Sequence, residues 1–135
     1  MSQKKVLIVD NSKLMRIIIK KILSSDDNFK VTSEAGNGIE ALTEIEKDIP
    51  DLIFLDIEMP EMDGVEALKE IRAKYSTKVV IVSSVAQMGS SRAAEVNQLG
   101  ADAIIEKPGG AVDPTLATQK GKEFIEIARK VVGLD

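Results

Sequence analysis

With 135 residues, the chain fits one domain that can bury a real core, and at 3% aromatic content that core must be Ile, Val, Leu and Ala. A net charge of −4 argues against a sequence-independent grip on nucleic-acid phosphates. The absence of cysteine and histidine excludes disulfides, thiolate or imidazole zinc sites, and Ser-His or Cys-His nucleophile pairs.

Lys5 to Asp10 reads as a strand, and Ser12 then caps a helix with Leu14, Ile17, Ile18 and Ile22 at helical spacing. Phe29 to Ala35 is a second strand, followed by the tight turn Gly36-Asn37-Gly38 and a helix with Ile39, Leu42 and Ile45 on one face. Pro50 stops that helix, and Asp51 starts a strand whose apolar run Leu52-Ile53-Phe54-Leu55 ends at Asp56. Asp63 caps a third helix carrying Val65, Leu68 and Ile71. Lys78 to Val82 is the fourth strand. Arg92 to Leu99 is a thin helix, ended by Gly100 just past its last turn. Asp102 to Ile105 is the fifth strand. After Pro108-Gly109-Gly110 the chain looks irregular, with 109–119 a partly ordered linker into a last helix that carries Phe124, Ile127, Ala128 and Val131. Strands alternating with helices specify a single α/β domain over residues 1–135: a doubly wound parallel sheet with helices on both faces. No apolar stretch is long enough to span a bilayer and no charged-then-apolar leader precedes the first strand, so a cytoplasmic domain without membrane or nucleic-acid contacts is expected.

In such a sheet the carboxyl ends of strands one, three, four and five open onto one edge, where parallel α/β folds place their chemistry. Asp10, Asp56, Ser83 and Lys107 therefore converge. Two acids, a hydroxyl and one cation suit magnesium, which takes carboxylates, carbonyls and waters. They suit a phosphoryl group as well: metal and Lys107 neutralise its charge and Ser83 donates a hydrogen bond. Either acid alone, or Lys107 alone, reads as an ordinary solvated residue. Their arrival together at matching strand ends favours a site.

Val9-Asp10, Asp56 with Met59-Pro60-Glu61-Met62-Asp63-Gly64, Val82-Ser83-Ser84 and Lys107-Pro108 together resemble the receiver domain of two-component response regulators. The resemblance implies the flavodoxin-like strand order 2-1-3-4-5. It implies that Asp56 accepts a phosphoryl group from a phosphohistidine on a sensor or chemotaxis kinase. It further implies magnesium, or manganese in its place, on Asp10, Asp56 and the backbone carbonyl of Glu58. Ser83 and Lys107 would contact the phosphoryl group, and small Ser84 would keep the approach open. Pro60 and Gly64 shape the loop, and the bond before Pro108 is expected cis. An output domain or target protein would receive the signal.

Val82-Ser83-Ser84, the stretch to Ser91 and Lys107-Pro108-Gly109-Gly110 are similar to the regulatory domain of chemotaxis methylesterases. The chain has no G-x-S-x-G elbow and no histidine for that enzyme's triad, so a regulatory domain rather than an enzyme is expected.

Two positions depart from the pattern. Asn11 stands where the family has a second acid, which implies weaker metal binding, directly or through water. Ile104 stands where an aromatic is frequent, so a switch would use the loop and helix after Ser83. The apolar face of that helix (Ala93, Ala94, Val96, Leu99) buries little area, as a two-state element requires. The alternative reading is a phosphorylation-independent interaction module with a weakened metal site.

Overall fold

The structure, a computed structural model, describes residues 3–57, 59, 62–84, 91–107 and 114–134, with the backbone alone for 91–93 and 114–120. Five strands, β1 (Lys4–Val9), β2 (Phe29–Ala35), β3 (Leu52–Asp56), β4 (Lys78–Ser83) and β5 (Ala103–Glu106), form one parallel sheet in the order β2-β1-β3-β4-β5. Between and after them run α1 (Lys13–Leu23), α2 (Gly38–Lys47), α3 (Gly64–Lys74), α4 (Ser91–Gln98) and α5 (Pro114–Val131). This is the doubly wound, flavodoxin-like fold that the alternation of elements specifies.

The central strands are buried on both faces, which is why they read as unbroken apolar runs rather than alternating ones. Side chains still alternate between two cores. Leu7, Val9, Ile53, Leu55, Val79 and Ile81 join Ala41, Ile45, Leu68, Ile71 and Val96 on the side of α2, α3 and α4. Val6, Ile8, Leu52, Phe54, Val80 and Val82 join Ile19, Leu23, Phe124 and Ala128 on the side of α1 and α5. Phe54 and Phe124 stack there at a centroid distance of 4.7 Å, a geometry that contributes about 0.5–1.5 kcal/mol beyond area burial.

Local signals set the helix starts. Ser12 Oγ accepts from Met15 N (3.2 Å) and Asp63 Oδ1 from Glu66 N (3.0 Å). Asn37 Oδ1 accepts from Glu40 N (2.9 Å), while the Glu40 carboxylate accepts from Gly36 N (3.0 Å), a reciprocal capping arrangement. Gly100 closes the turn after α4 at φ +96°, a conformation glycine adopts at no steric cost.

Three expectations change. On α1 the inward residues are Ile19 and Leu23, supported by Met15 and Ile22, while Leu14 (67%) and Ile17 (52%) face outward. The run Ile17-Ile18-Ile19 covers so much of the helix circumference that spacing alone does not select a face; burial of Ile19 and Leu23 in the core layer that also holds Phe29 and Phe54 does. On α2, Ile39 is exposed and Ala41, Leu42 and Ile45 face inward. The last helix begins at Pro114, so 114–119 are helical rather than irregular. Proline is favoured at a first helical position because its N–H has no intrahelical partner to lose. Residues 109–113 of that expected linker lie outside the described residues.

The far end of α5 is tied down by Arg129, whose Nη1 lies 2.9 Å from Asp26 Oδ2 in the turn between α1 and β2. Burial alone would raise the Asp26 carboxyl, but hydrogen bonds from Asn28 and Arg129 outweigh it and hold the group below its ordinary value.

Candidate functional site

Parallel register brings the site together. Val9 pairs with Leu55, Asp56 with Val82, and Ser83 with Glu106, so the residues that follow β1, β3 and β5 share one edge. Lys107 N donates to Ser83 O at 2.9 Å, fixing where the lysine leaves β5. Its Nζ lies 3.3 Å from Asp56 Oδ1 and 3.7 Å from Asp10 Oδ2. Asp10 (0%), Asp56 (1%) and Ser83 (0%) are closed to solvent, while the Lys107 side chain is a quarter exposed. Two buried carboxylates are expensive unless opposite charge and hydrogen bonds compensate them. As carboxylates and an ammonium, these groups sum to one negative charge.

The loop after β3 is drawn tight by Gly64, whose N–H donates to Ile57 O at 3.1 Å. A Cβ there would stand 2.4 Å from Asp56 O and 2.7 Å from Ile57 Cα, so only glycine lets α3 start against the backbone of Asp56. A second close approach joins α2 to the same loop: Gly38 N donates to Met62 O at 3.1 Å, and a Cβ on Gly38 would lie 2.8 Å from that oxygen.

Asp10 is held at every backbone atom that can bond. Its N–H donates to Ala35 O (3.0 Å) and its carbonyl accepts from Arg16 Nη1 (2.6 Å). Its Oδ1 accepts from Ser12 N (2.8 Å). Its buried Oδ2 has no hydrogen-bond partner among the described residues and lies within ion-pair distance of Lys107. A buried, anionic oxygen with spare acceptor capacity beside a second carboxylate is what a hard divalent cation takes, and the donors present fit magnesium.

The structure thus gathers Asp10, Asp56 and Lys107, with Ser83 alongside through its backbone. Ser83 Oγ donates to Ser84 O at 3.3 Å, and Ser84 is half-buried. Asn11 is exposed. Glu58, Pro60 and Pro108, and with them the expected carbonyl ligand and cis bond, lie outside the described residues. Arg16 was not among the sequence candidates. Its only sequence signal is a basic residue placed a turn and a half after the strand-end acid, with Glu34 available on the neighbouring strand.

Sheet order and strand-end chemistry together define a doubly wound α/β domain of the receiver type. The chain belongs to the response regulator receiver domain family, whose profile it matches over residues 6–127. It is 38% identical to a protein-glutamate methylesterase/protein-glutamine glutaminase of Thermotoga maritima over 131 residues, covering 97% of this chain and 38% of that protein. A Syntrophomonas wolfei protein of the same description is 42% identical over 112 residues, covering 83% of this chain and 32% of that one. The chain therefore spans about a third of these relatives and matches their receiver part. Among solved structures, the response regulator domain of Thermotoga maritima CheB superposes with a TM-score of 0.85 at 38% identity, covering 98% of both chains. The crystal structure of the P1 domain of CheA3 in complex with CheY6 from R. sphaeroides gives a TM-score of 0.81 at 39% identity, covering 98% of this chain and 99% of that one. No helix among the described residues is long and apolar enough to cross a membrane.

Proposed function

We propose that residues 1–135 act as one phospho-acceptor switch in which Asp56 receives a phosphoryl group from a kinase phosphohistidine. The observation that carries this reading is the buried Asp10–Asp56 pair with Lys107 Nζ within 3.7 Å of both. A carboxylate oxygen of Asp56 attacks phosphorus, the P–N bond breaks, and the donor imidazole leaves with the bonding pair. Lys107 meets a phosphoryl oxygen from beside Asp56, and the Ser83 hydroxyl turns from the Ser84 carbonyl to another. Asp10 and Asp56, with the expected Glu58 carbonyl and Asn11 through water, would hold a magnesium ion, which would supply the remaining charge neutralisation.

The signal leaves through the segment after Ser83. Among the described side chains of α4, residues 94–98, Val96 alone is buried, so this part of the helix is held by little apolar area and is inexpensive to shift. Ile104 is a half-buried aliphatic that packs against the core. Leu14 and Ile17, exposed on the first turns of α1 just after Asp10, offer an apolar surface for the kinase's phosphohistidine domain. The relationship to methylesterases makes a chemotaxis output in the cytoplasm the best-supported setting.

The deciding experiment is incubation with magnesium and acetyl phosphate followed by intact mass measurement. Wild type is expected to gain one phosphoryl group and Asp56→Asn none. Equal labelling of both, or of neither, overturns the assignment.

A further inference from the structure

We infer that Arg16 is a positioning residue for metal binding, acting through the main chain of Asp10; this rests on the phospho-acceptor reading above. The Arg16 side chain is 19% exposed, and its guanidinium is divided between two partners. Nη1 donates to the Asp10 carbonyl at 2.6 Å, and Nε donates to Glu34 Oε1 at 3.1 Å. Lys20 Nζ lies 3.8 Å from the other Glu34 oxygen, so the carboxylate that orients Arg16 is itself steadied from the next turn of α1.

The Asp10 carbonyl belongs to the peptide unit that leads into Asn11 and Ser12. Fixing that plane fixes the path to the Ser12 N–H, which in turn holds Asp10 Oδ1 at 2.8 Å. With Oδ1 spoken for, rotation of the carboxylate is restrained and Oδ2 is left aimed at Lys107 and Asp56. The restraint matters more in this chain than in one with a second acid after β1. Asn11 is neutral and exposed, so Asp10 is the single anionic side chain the β1–α1 loop brings to the metal.

This reading predicts a sign opposite to simple electrostatics. Removing a cation close to an anionic site should by Coulomb's law tighten a divalent ion. Removing a residue that orients a ligand should loosen it, and such outer partners are typically worth 10- to 100-fold in metal affinity.

The test is calorimetric magnesium titration of the full chain as wild type, Arg16→Gln and Arg16→Lys, with thermal unfolding showing each folded at the titration temperature. Arg16→Gln is expected to bind magnesium about tenfold more weakly. Arg16→Lys, which supplies a donor but not the fork, is expected to fall between. The magnesium concentration giving half-maximal labelling by acetyl phosphate should rise in parallel, with the rate at saturating magnesium unchanged. Arg16→Gln binding as tightly as wild type, or more tightly, overturns the inference, as does a slower rate at every magnesium concentration. If Arg16→Gln does not fold, Arg16→Lys alone decides by the same comparison. Failure of wild type to bind magnesium would count against the receiver chemistry instead.

Discussion

Gly64→Ala tests the packing that places Asp56. The added methyl would stand 2.4 Å from Asp56 O, whereas ordinary contact begins at 3.4 Å. About 1 Å must therefore be absorbed, and the obstacle is backbone, which cannot swing aside as a side chain would. Overpacking of this kind costs about 1–3 kcal/mol. For a domain of this size each kcal/mol lowers the melting temperature by about 3–5 °C. The displacement falls on Asp56, the residue proposed above to attack phosphorus, and a misplacement near 1 Å can cost on the order of 100-fold in rate. The assay is the time course of acetyl phosphate labelling by intact mass at saturating magnesium, at a temperature where both proteins are folded. A melting temperature lowered by several degrees with labelling slowed tenfold or more is expected. Labelling at the wild-type rate would refute the idea that Gly64 sets the position of Asp56, whatever happens to stability.

Other consequences can be checked separately. Gly121→Ala, in α5 with Ile22 Cγ1 at 3.8 Å as the nearest neighbour, should stabilise by about 0.5–1 kcal/mol in a denaturant titration, since alanine loses less backbone entropy in a helix. Asp26 has a lowered folded-state value, so its contribution is present above the unfolded carboxylate range near 3.9 and is lost as pH falls through the lower folded value. Asp26→Asn should accordingly reduce stability at neutral pH and narrow its gap to wild type in thermal melts below about pH 4. Ile17→Glu should slow phosphotransfer from a partner kinase while leaving labelling by acetyl phosphate unchanged, because the residue is exposed and lies outside the acid–lysine cluster. Asn11→Asp should tighten magnesium binding measured by calorimetry; unchanged affinity would remove Asn11 from the metal's surroundings.

The sheet and its acids were legible because strands buried on both faces leave a plain signature: four apolar residues and then a carboxylate. Asp10, Asp56 and Lys107 could be grouped from sequence because parallel topology sends their strand ends to one edge. The inward face of α1 was not legible, since three consecutive isoleucines satisfy more than one helical face and packing decides among them. The first turn of the last helix was hidden for a different reason: glycines and a proline before it are loop signals, although proline also starts helices. Arg16 was missed because a side chain that grips a main-chain carbonyl imposes no requirement on the identity of the residue it holds. Gly38 illustrates the same limit, as its partner is the carbonyl of Met62 and not a side chain.

The partition of the interior by the sheet also has an engineering consequence. Side chains of β1, β3 and β4 divide cleanly between a front layer around Leu55 and Ile81, whose fully buried members are aliphatic, and a rear layer anchored by the Phe54–Phe124 pair. Repacking designs for the two layers can be optimised as separate problems and then combined, because free-energy changes at sites without shared neighbours add. A stabilised scaffold could thus be built from the rear layer without altering the side chains that line the front.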